Sequence, residues 1–170
     1  MFIPTIYIEN IKPENKSIEV SSNKLHHLKN VLRIRDEDKI NISNGKGLVF
    51  YGNFVNNCVK INNSRMYERQ NSLRIFVPYL REKNRFRFLI EKLTELNVNE
   101  VHIGMTENTQ NTNYNKSKIL DWAISALEQS GSAYLPSLFF PDNLNFSIFR
   151  TCLDISGEKF NNCLLYTSDA

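Results

Sequence analysis

Hydrophobic and polar positions change rhythm partway along the chain. Over residues 2–8 they alternate, with Phe2, Pro4, Ile6 and Ile8 set against Ile3, Thr5 and Tyr7, the period-two pattern of a half-buried strand. Ser22 is placed to cap a helix whose apolar positions are Leu25, Leu28 and Leu32, with Val31 beside them. Strands are predicted over 39–42, 48–55 and 58–61. The first two are joined by Asn44-Gly45-Lys46-Gly47, whose Asn-Gly pair accepts the positive φ angles of a tight hairpin turn. Together these elements predict a small, mostly β barrel.

Residues 62–72 are polar and aperiodic, and the domain boundary is predicted there. Beyond it the pattern is different. Residues 73–77 form a continuous β-prone run that ends at Pro78, and Phe86, Leu89, Ile90, Leu93 and Leu96 then recur at helical spacing. Residues 98–105 return to strand. Asn115 is placed to cap a second helix with Ile119, Trp122, Ala123, Ala126 and Leu127 as its buried stripe and Gly131 at its end. Residues 135–140 predict a third strand. Strand–helix–strand–helix–strand implies a parallel α/β sheet with right-handed crossovers.

Composition narrows the class. Hydrophobic residues make up 41% of the chain, enough for a core, and no run approaches the roughly 18–20 apolar residues that span a bilayer. The first nine residues lack the pattern of a secretory signal, so a cytoplasmic, membrane-free protein is expected. Cys58, Cys152 and Cys163 are odd in number and widely spaced, which predicts reduced thiols and no metal site. The net charge of +3 says less than its distribution. Lys24, Lys29, Arg33, Arg35 and Lys39 cluster with His26 and His27, and a second basic stretch runs from Arg81 to Arg87. Such clusters pair with phosphates, or simply face solvent.

No Walker loop, GxGxxG, HExxH or nucleophile elbow is present. Read singly, the polar features have ordinary alternatives. Glu95 pairs as readily with Lys92 or Lys118 as with a substrate, and Glu128-Gln129-Ser130 equally suits the last turn of an ordinary helix.

Three blocks taken in order are more specific. They are Leu25-His26-His27-Leu28-Lys29-Asn30-Val31-Leu32-Arg33, Ile90-Glu91-Lys92-Leu93-Thr94-Glu95-Leu96-Asn97-Val98, and Ala126-Leu127-Glu128-Gln129-Ser130-Gly131. In this order they resemble the RsmE-like methyltransferases of the SPOUT class, which methylate N3 of a uridine in small-subunit rRNA. The chain departs from that family's pattern at Asn108 and Ser132, where arginine is usual, and at Glu37 and Asn97, where glycine is usual.

The resemblance implies an N-terminal PUA-like β-barrel over residues 1–71. A partial SPOUT-like α/β domain with a parallel sheet follows over 72–160, its knot-forming C-terminal part missing. Residues 161–170 are expected to be a non-native tail. The implied activity is S-adenosylmethionine-dependent methylation of uridine N3 in 16S rRNA, with 16S rRNA or the small subunit as partner and a homodimer at full length. His27, Arg33, Arg35 and Lys46 are the expected RNA contacts. Lys92, Glu95, Glu128, Gln129 and Ser130 are the expected lining of the active site, and Glu128 is the candidate proton acceptor. The loops that hold the cofactor in that family have no counterpart in these 170 residues. A non-enzymatic RNA-binding protein with an α/β dimerisation domain is the alternative, and a small-molecule α/β enzyme is a more distant one.

Overall fold

The computed structural model describes residues 3–69, 72–106, 109 and 114–141. The first part of the chain builds one five-stranded sheet from β1 (Thr5–Tyr7), β2 (Ser17–Glu19), β3 (Lys39–Ser43), β4 (Leu48–Val55) and β5 (Cys58–Met66). Their order is β1-β3-β4-β5-β2; β1 runs parallel to β3 and every other pairing is antiparallel. Strand alternation sends Ile6, Ile18, Ile40, Ile42, Phe50, Phe54 and Val59 inward, where they are buried around Leu28. The expected barrel is therefore, among the described residues, an open curled sheet with β1 and β2 as its edges.

The end predicted for the last of these strands is displaced. Strand β5 continues to Met66, through residues assigned to the linker. A pairing irregularity at Tyr51/Gly52 breaks the alternation on which a strand forecast depends. Gly52 is required at that irregularity, because a Cβ there would lie 2.1 Å from the Lys60 carbonyl oxygen. Strand β2 was not foreseen, since three residues carry too little periodicity.

The predicted first helix is also altered. Helix α1 covers Ser22–His26, and Ser21 rather than Ser22 occupies the cap position. The helix then widens into a π turn over His27–Val31.

The second part contains β6 (Arg74–Pro78), α2 (Lys83–Glu95), β7 (Glu100–Gly104), α3 (Lys116–Ser130) and β8 (Ser137–Phe139), with the sheet order β6-β7-β8, all parallel. Helices α2 and α3 pack together. Phe86, Ile90 and Leu93 of α2 join Ile119, Trp122 and Ala123 of α3 and Val77, Val101 and Ile103 of the sheet in a single core. Leu96, expected on the α2 stripe, is 74% exposed because the helix has already ended.

Both ends of α3 match the sequence signals. The Asn115 side chain accepts the Ser117 N–H at 2.9 Å, and Gly131 takes the left-handed cap conformation at φ 69°.

Candidate RNA-binding surface and inter-domain seam

Local backbone chemistry presents the basic cluster. In the widened turn the N–H of Leu32 donates to the His27 carbonyl five residues back, at 3.1 Å, and Ile34 donates to Leu28 at 2.9 Å. Leu28 anchors the turn in the core, whereas the extra residue rotates Val31 and Leu32 outward to 61% and 42% exposure. Arg33 follows at φ 55°, a left-handed conformation uncommon for a side chain of its size.

His27, Arg33 and Arg35 all face solvent, and among the described residues none of their side chains makes an ion pair. Asp38 instead accepts the backbone N–H of Arg35 at 2.7 Å. Nearby, Lys29 donates to Asn57 at 2.7 Å, with its ammonium 5.9 Å from the centre of the Phe54 ring. The result is a rim of two unpaired guanidinium groups and an exposed imidazole beside two exposed aliphatic side chains, a combination suited to phosphates and sugar edges.

Lys46 lies away from that rim. Its ammonium reaches Glu9 at 3.4 Å on the surface, while its backbone joins the two parts of the molecule. Gly47 donates its N–H to the Ala133 carbonyl at 2.9 Å, and Leu135 donates to Gly45 at 2.8 Å, so the turn forms a short antiparallel bridge with the segment after α3. Gly45 and Gly47 have φ of 68° and 99°. A Cβ on Gly47 would lie 2.8 Å from the Tyr134 hydroxyl and 2.9 Å from the Tyr67 carbonyl oxygen. The Asn-Gly-Lys-Gly turn thus closes a hairpin and also joins the domains, a second role that its sequence does not reveal.

Glu128 belongs to the same seam. One carboxylate oxygen accepts the Tyr7 backbone N–H at 2.8 Å and the Lys24 ammonium at 2.5 Å. The outer edge of β1 is thereby capped by a side chain of α3. Tyr134 donates to the Tyr67 carbonyl at 2.5 Å, and the Arg69 guanidinium lies 4.5 Å over the Tyr134 ring. Burial lowers the Arg69 pKa, with Tyr134 and Glu100 opposing the shift. The Tyr67 hydroxyl is 2.6 Å from that of Tyr51, whose pKa is pushed up to about 12, first by burial and then by this hydrogen bond.

Of the remaining expected active-site residues, Lys92, Glu95 and Ser130 have local partners. Lys92 pairs with Glu95 at 2.6 Å, one of the alternatives open from the sequence, and also lies 5.5 Å from the centre of the exposed Phe88 ring. The Ser130 hydroxyl donates to the Ala126 carbonyl at 2.7 Å, and Gln129 is exposed. Among the described residues no hydrogen bond or ion pair joins the Lys92–Glu95 pair to Glu128, Gln129 or Ser130. No group of three or more metal-capable side chains occurs among them either. The seam roles of Lys24, Tyr67, Arg69 and Tyr134 were not anticipated: Lys24 was read as part of the basic cluster, and instead pairs with Glu128, while Tyr67 and Arg69 fell in the predicted linker.

A basic, open β domain coupled through its hairpin turn and one edge to a parallel α/β domain defines the class of this protein. Within that class, the chain belongs to the RNA methyltransferase family. The family's RNA methyltransferase domain model matches residues 68–154, and its RNA methyltransferase PUA domain model matches residues 21–51.

Among curated relatives, the chain is 30% identical over 153 residues to ribosomal RNA small subunit methyltransferase E of Buchnera aphidicola subsp. Schizaphis graminum, covering 82% of this chain and 62% of that protein. It is 29% identical over 162 residues to the protein of the same name from the Acyrthosiphon pisum subspecies, covering 88% and 62%. The chain thus spans 62% of the length of the curated relatives it matches.

Among solved structures, the fold is similar to ribosomal RNA small subunit methyltransferase E from Neisseria gonorrhoeae bound to S-adenosyl methionine. The TM-score is 0.71 at 21% identity, covering 84% of this chain and 62% of that one. A predicted RNA methyltransferase from Thermotoga maritima gives a TM-score of 0.69 at 24% identity, covering 84% and 67%.

Proposed function

We propose that this chain carries the RNA-holding domain, residues 1–71, and the opening part of the methyltransferase domain, residues 72–160, of an enzyme that methylates uridine N3 in 16S rRNA. The observation that carries this reading is the rim of unpaired His27, Arg33 and Arg35 on the widened turn, in a chain of the RNA methyltransferase family. Phosphate contacts of this kind position an RNA without reading its sequence.

Methylation at N3 requires the uracil to lose its imino proton and to leave any base pair or stack, so the target is a flipped or single-stranded nucleotide. S-adenosylmethionine, named with the similar Neisseria structure, supplies the electrophilic methyl group when bound. The described candidate residues do not fit that cofactor by themselves. Lys92 is engaged by Glu95, Glu128 by Lys24 and Tyr7, and Ser130 by Ala126. With its oxygen already engaged at the seam, Glu128 is better read as a positioning residue than as a proton acceptor. A cytoplasmic location, a ribosomal partner and a homodimer complete the proposal. No described helix is long and apolar enough to cross a membrane.

The direct test is nucleoside mass spectrometry of 16S rRNA from the source cells with and without the gene encoding this chain. The expected result is loss of N3-methyluridine on deletion and its return on complementation. An unchanged N3-methyluridine signal after deletion would overturn the proposal.

A further inference from the structure

We infer that the open outer face of the five-stranded sheet is a groove for single-stranded RNA, lined by Tyr51, Lys39 and asparagine side chains and leading to the inter-domain seam. The inference rests on the RNA-holding role proposed above and adds a second contact surface, separate from the Arg33/Arg35 rim.

Strand register defines the face. With Ile40, Ile42, Phe50 and Phe54 inward, the paired sets Asn41–Tyr51–Asn63 and Lys39–Asn53–Lys60 point outward. A cavity of about 290 Å³ opens on this face, lined by Ile3, Lys39, Asn41, Tyr51, Asn53 and Asn62, and its accessible wall is mostly apolar. That volume is near the lower end of ordinary small-ligand sites and suits one nucleotide. None of the lining residues is acidic, so nothing there repels a phosphate.

The polar groups are partly set in place. Asn62 donates its amide to Asn53 at 2.6 Å, and Asn53 donates to the Glu37 carbonyl at 2.9 Å. The Asn62 carbonyl oxygen is thereby oriented while remaining available as an acceptor. Asn41 keeps both amide donors and its acceptor free among the described residues, and that combination complements the mixed donor–acceptor edge of an unpaired base. Lys39 is exposed and makes no ion pair among the described residues, which leaves its ammonium for the backbone. Tyr51 presents an aromatic ring whose hydroxyl is fixed by Tyr67, and stacking on such a ring tolerates any base.

The groove also has a direction. Tyr51 bonds Tyr67, the Tyr67 carbonyl accepts from Tyr134, and Tyr134 belongs to the segment following α3. Arg65 lies 4.8 Å over the Tyr67 ring and Arg69 lies 4.5 Å over the Tyr134 ring. A strand stacked on Tyr51 is therefore led along alternating rings and guanidinium groups toward the α/β domain, where a modified base has to arrive. A solvated sheet face needs neither the concavity nor this continuity.

The test is fluorescence anisotropy of the full 170-residue chain with an end-labelled, uridine-rich single-stranded RNA and with the same sequence as a duplex. Tyr51→Leu is expected to weaken single-strand binding on the order of tenfold, leaving the salt slope and duplex binding unchanged, since paired bases are already stacked. Tyr51→Phe retains the ring and should bind as the parent does. Lys39→Gln should reduce the salt slope by about one. If Tyr51→Leu does not fold, Lys39→Gln and Asn41→Ala decide the matter.

If the parent binds, Arg33→Ala with Arg35→Ala weakens it, and the groove variants leave affinity and slope unchanged, the groove falls and the RNA-holding role stands. If the parent binds neither RNA, both readings fall.

Discussion

Glu37 and Asn97 occupy left-handed backbone at φ 72° and 58°, at the two positions where the resembled family usually has glycine. This conformation costs a side chain with a Cβ roughly 1–2 kcal/mol, and asparagine tolerates it better than glutamate. The Glu37 side chain is exposed, and its N–H donates to the Phe54 carbonyl at 2.8 Å, a bond that glycine would keep. Glu37→Gly should therefore stabilise the fold by about 0.5–1 kcal/mol, after allowing for the more flexible unfolded chain. Asn97→Gly should be close to neutral, because Asn97 also accepts the Ser132 hydroxyl at 2.6 Å. Chemical denaturation measures both. A destabilised Glu37→Gly would show that relief of strain is not the dominant effect.

Tyr51 makes a separate, pH-dependent contribution. Its folded pKa of about 12 lies above the ordinary value of 10.0, so the stabilisation is complete below pH 10 and is lost as pH rises through 12. The stability difference between the parent and Tyr51→Phe should be constant below pH 10 and change as pH rises from 10 to 12. Departures from glycine were legible in the sequence as departures, but their φ angles depend on chain paths that no residue type specifies.

At the scale of elements, the hairpin turn and α3 carry most of the coupling between the two parts. Gly47→Ala introduces a Cβ at φ 99° against Tyr134 and Tyr67, and should destabilise the protein by about 2–3 kcal/mol. The same substitution should loosen the seam, seen as faster amide exchange at Leu135, whose N–H bonds the neighbouring Gly45. Unchanged exchange would mean that Glu128 and Arg69 hold the domains without the turn.

The long, strongly periodic elements were legible beforehand. Strand β4 matched its forecast, and α3 was anticipated with both of its caps. What was not legible came from three-dimensional demands on short segments: a pairing irregularity in β4–β5, a π turn in the signature segment, and a turn that serves a second domain. The residues expected to line one site show the same limit. Their helices were anticipated, but Lys92–Glu95 forms a pair of its own and Glu128 pairs with Lys24 across the seam.

At the scale of the whole molecule, the sequence rhythm separated the chain into a β part and a parallel α/β part, and the fold has that division. It also located the basic rim, because Arg33 and Arg35 lie in an exposed turn where nothing else competes for them. The seam, where residues distant in sequence meet, is a product of folding and has no linear signature.

RNA holding by this chain depends on the rim, and the most direct measurement is RNA affinity as a function of salt for the parent and for Arg33→Ala/Arg35→Ala. The expected result is affinity that falls steeply with salt in the parent, with the slope reduced by about two in the double variant. RNA binding that ignores salt, or a double variant with the parent's affinity and slope, would contradict it.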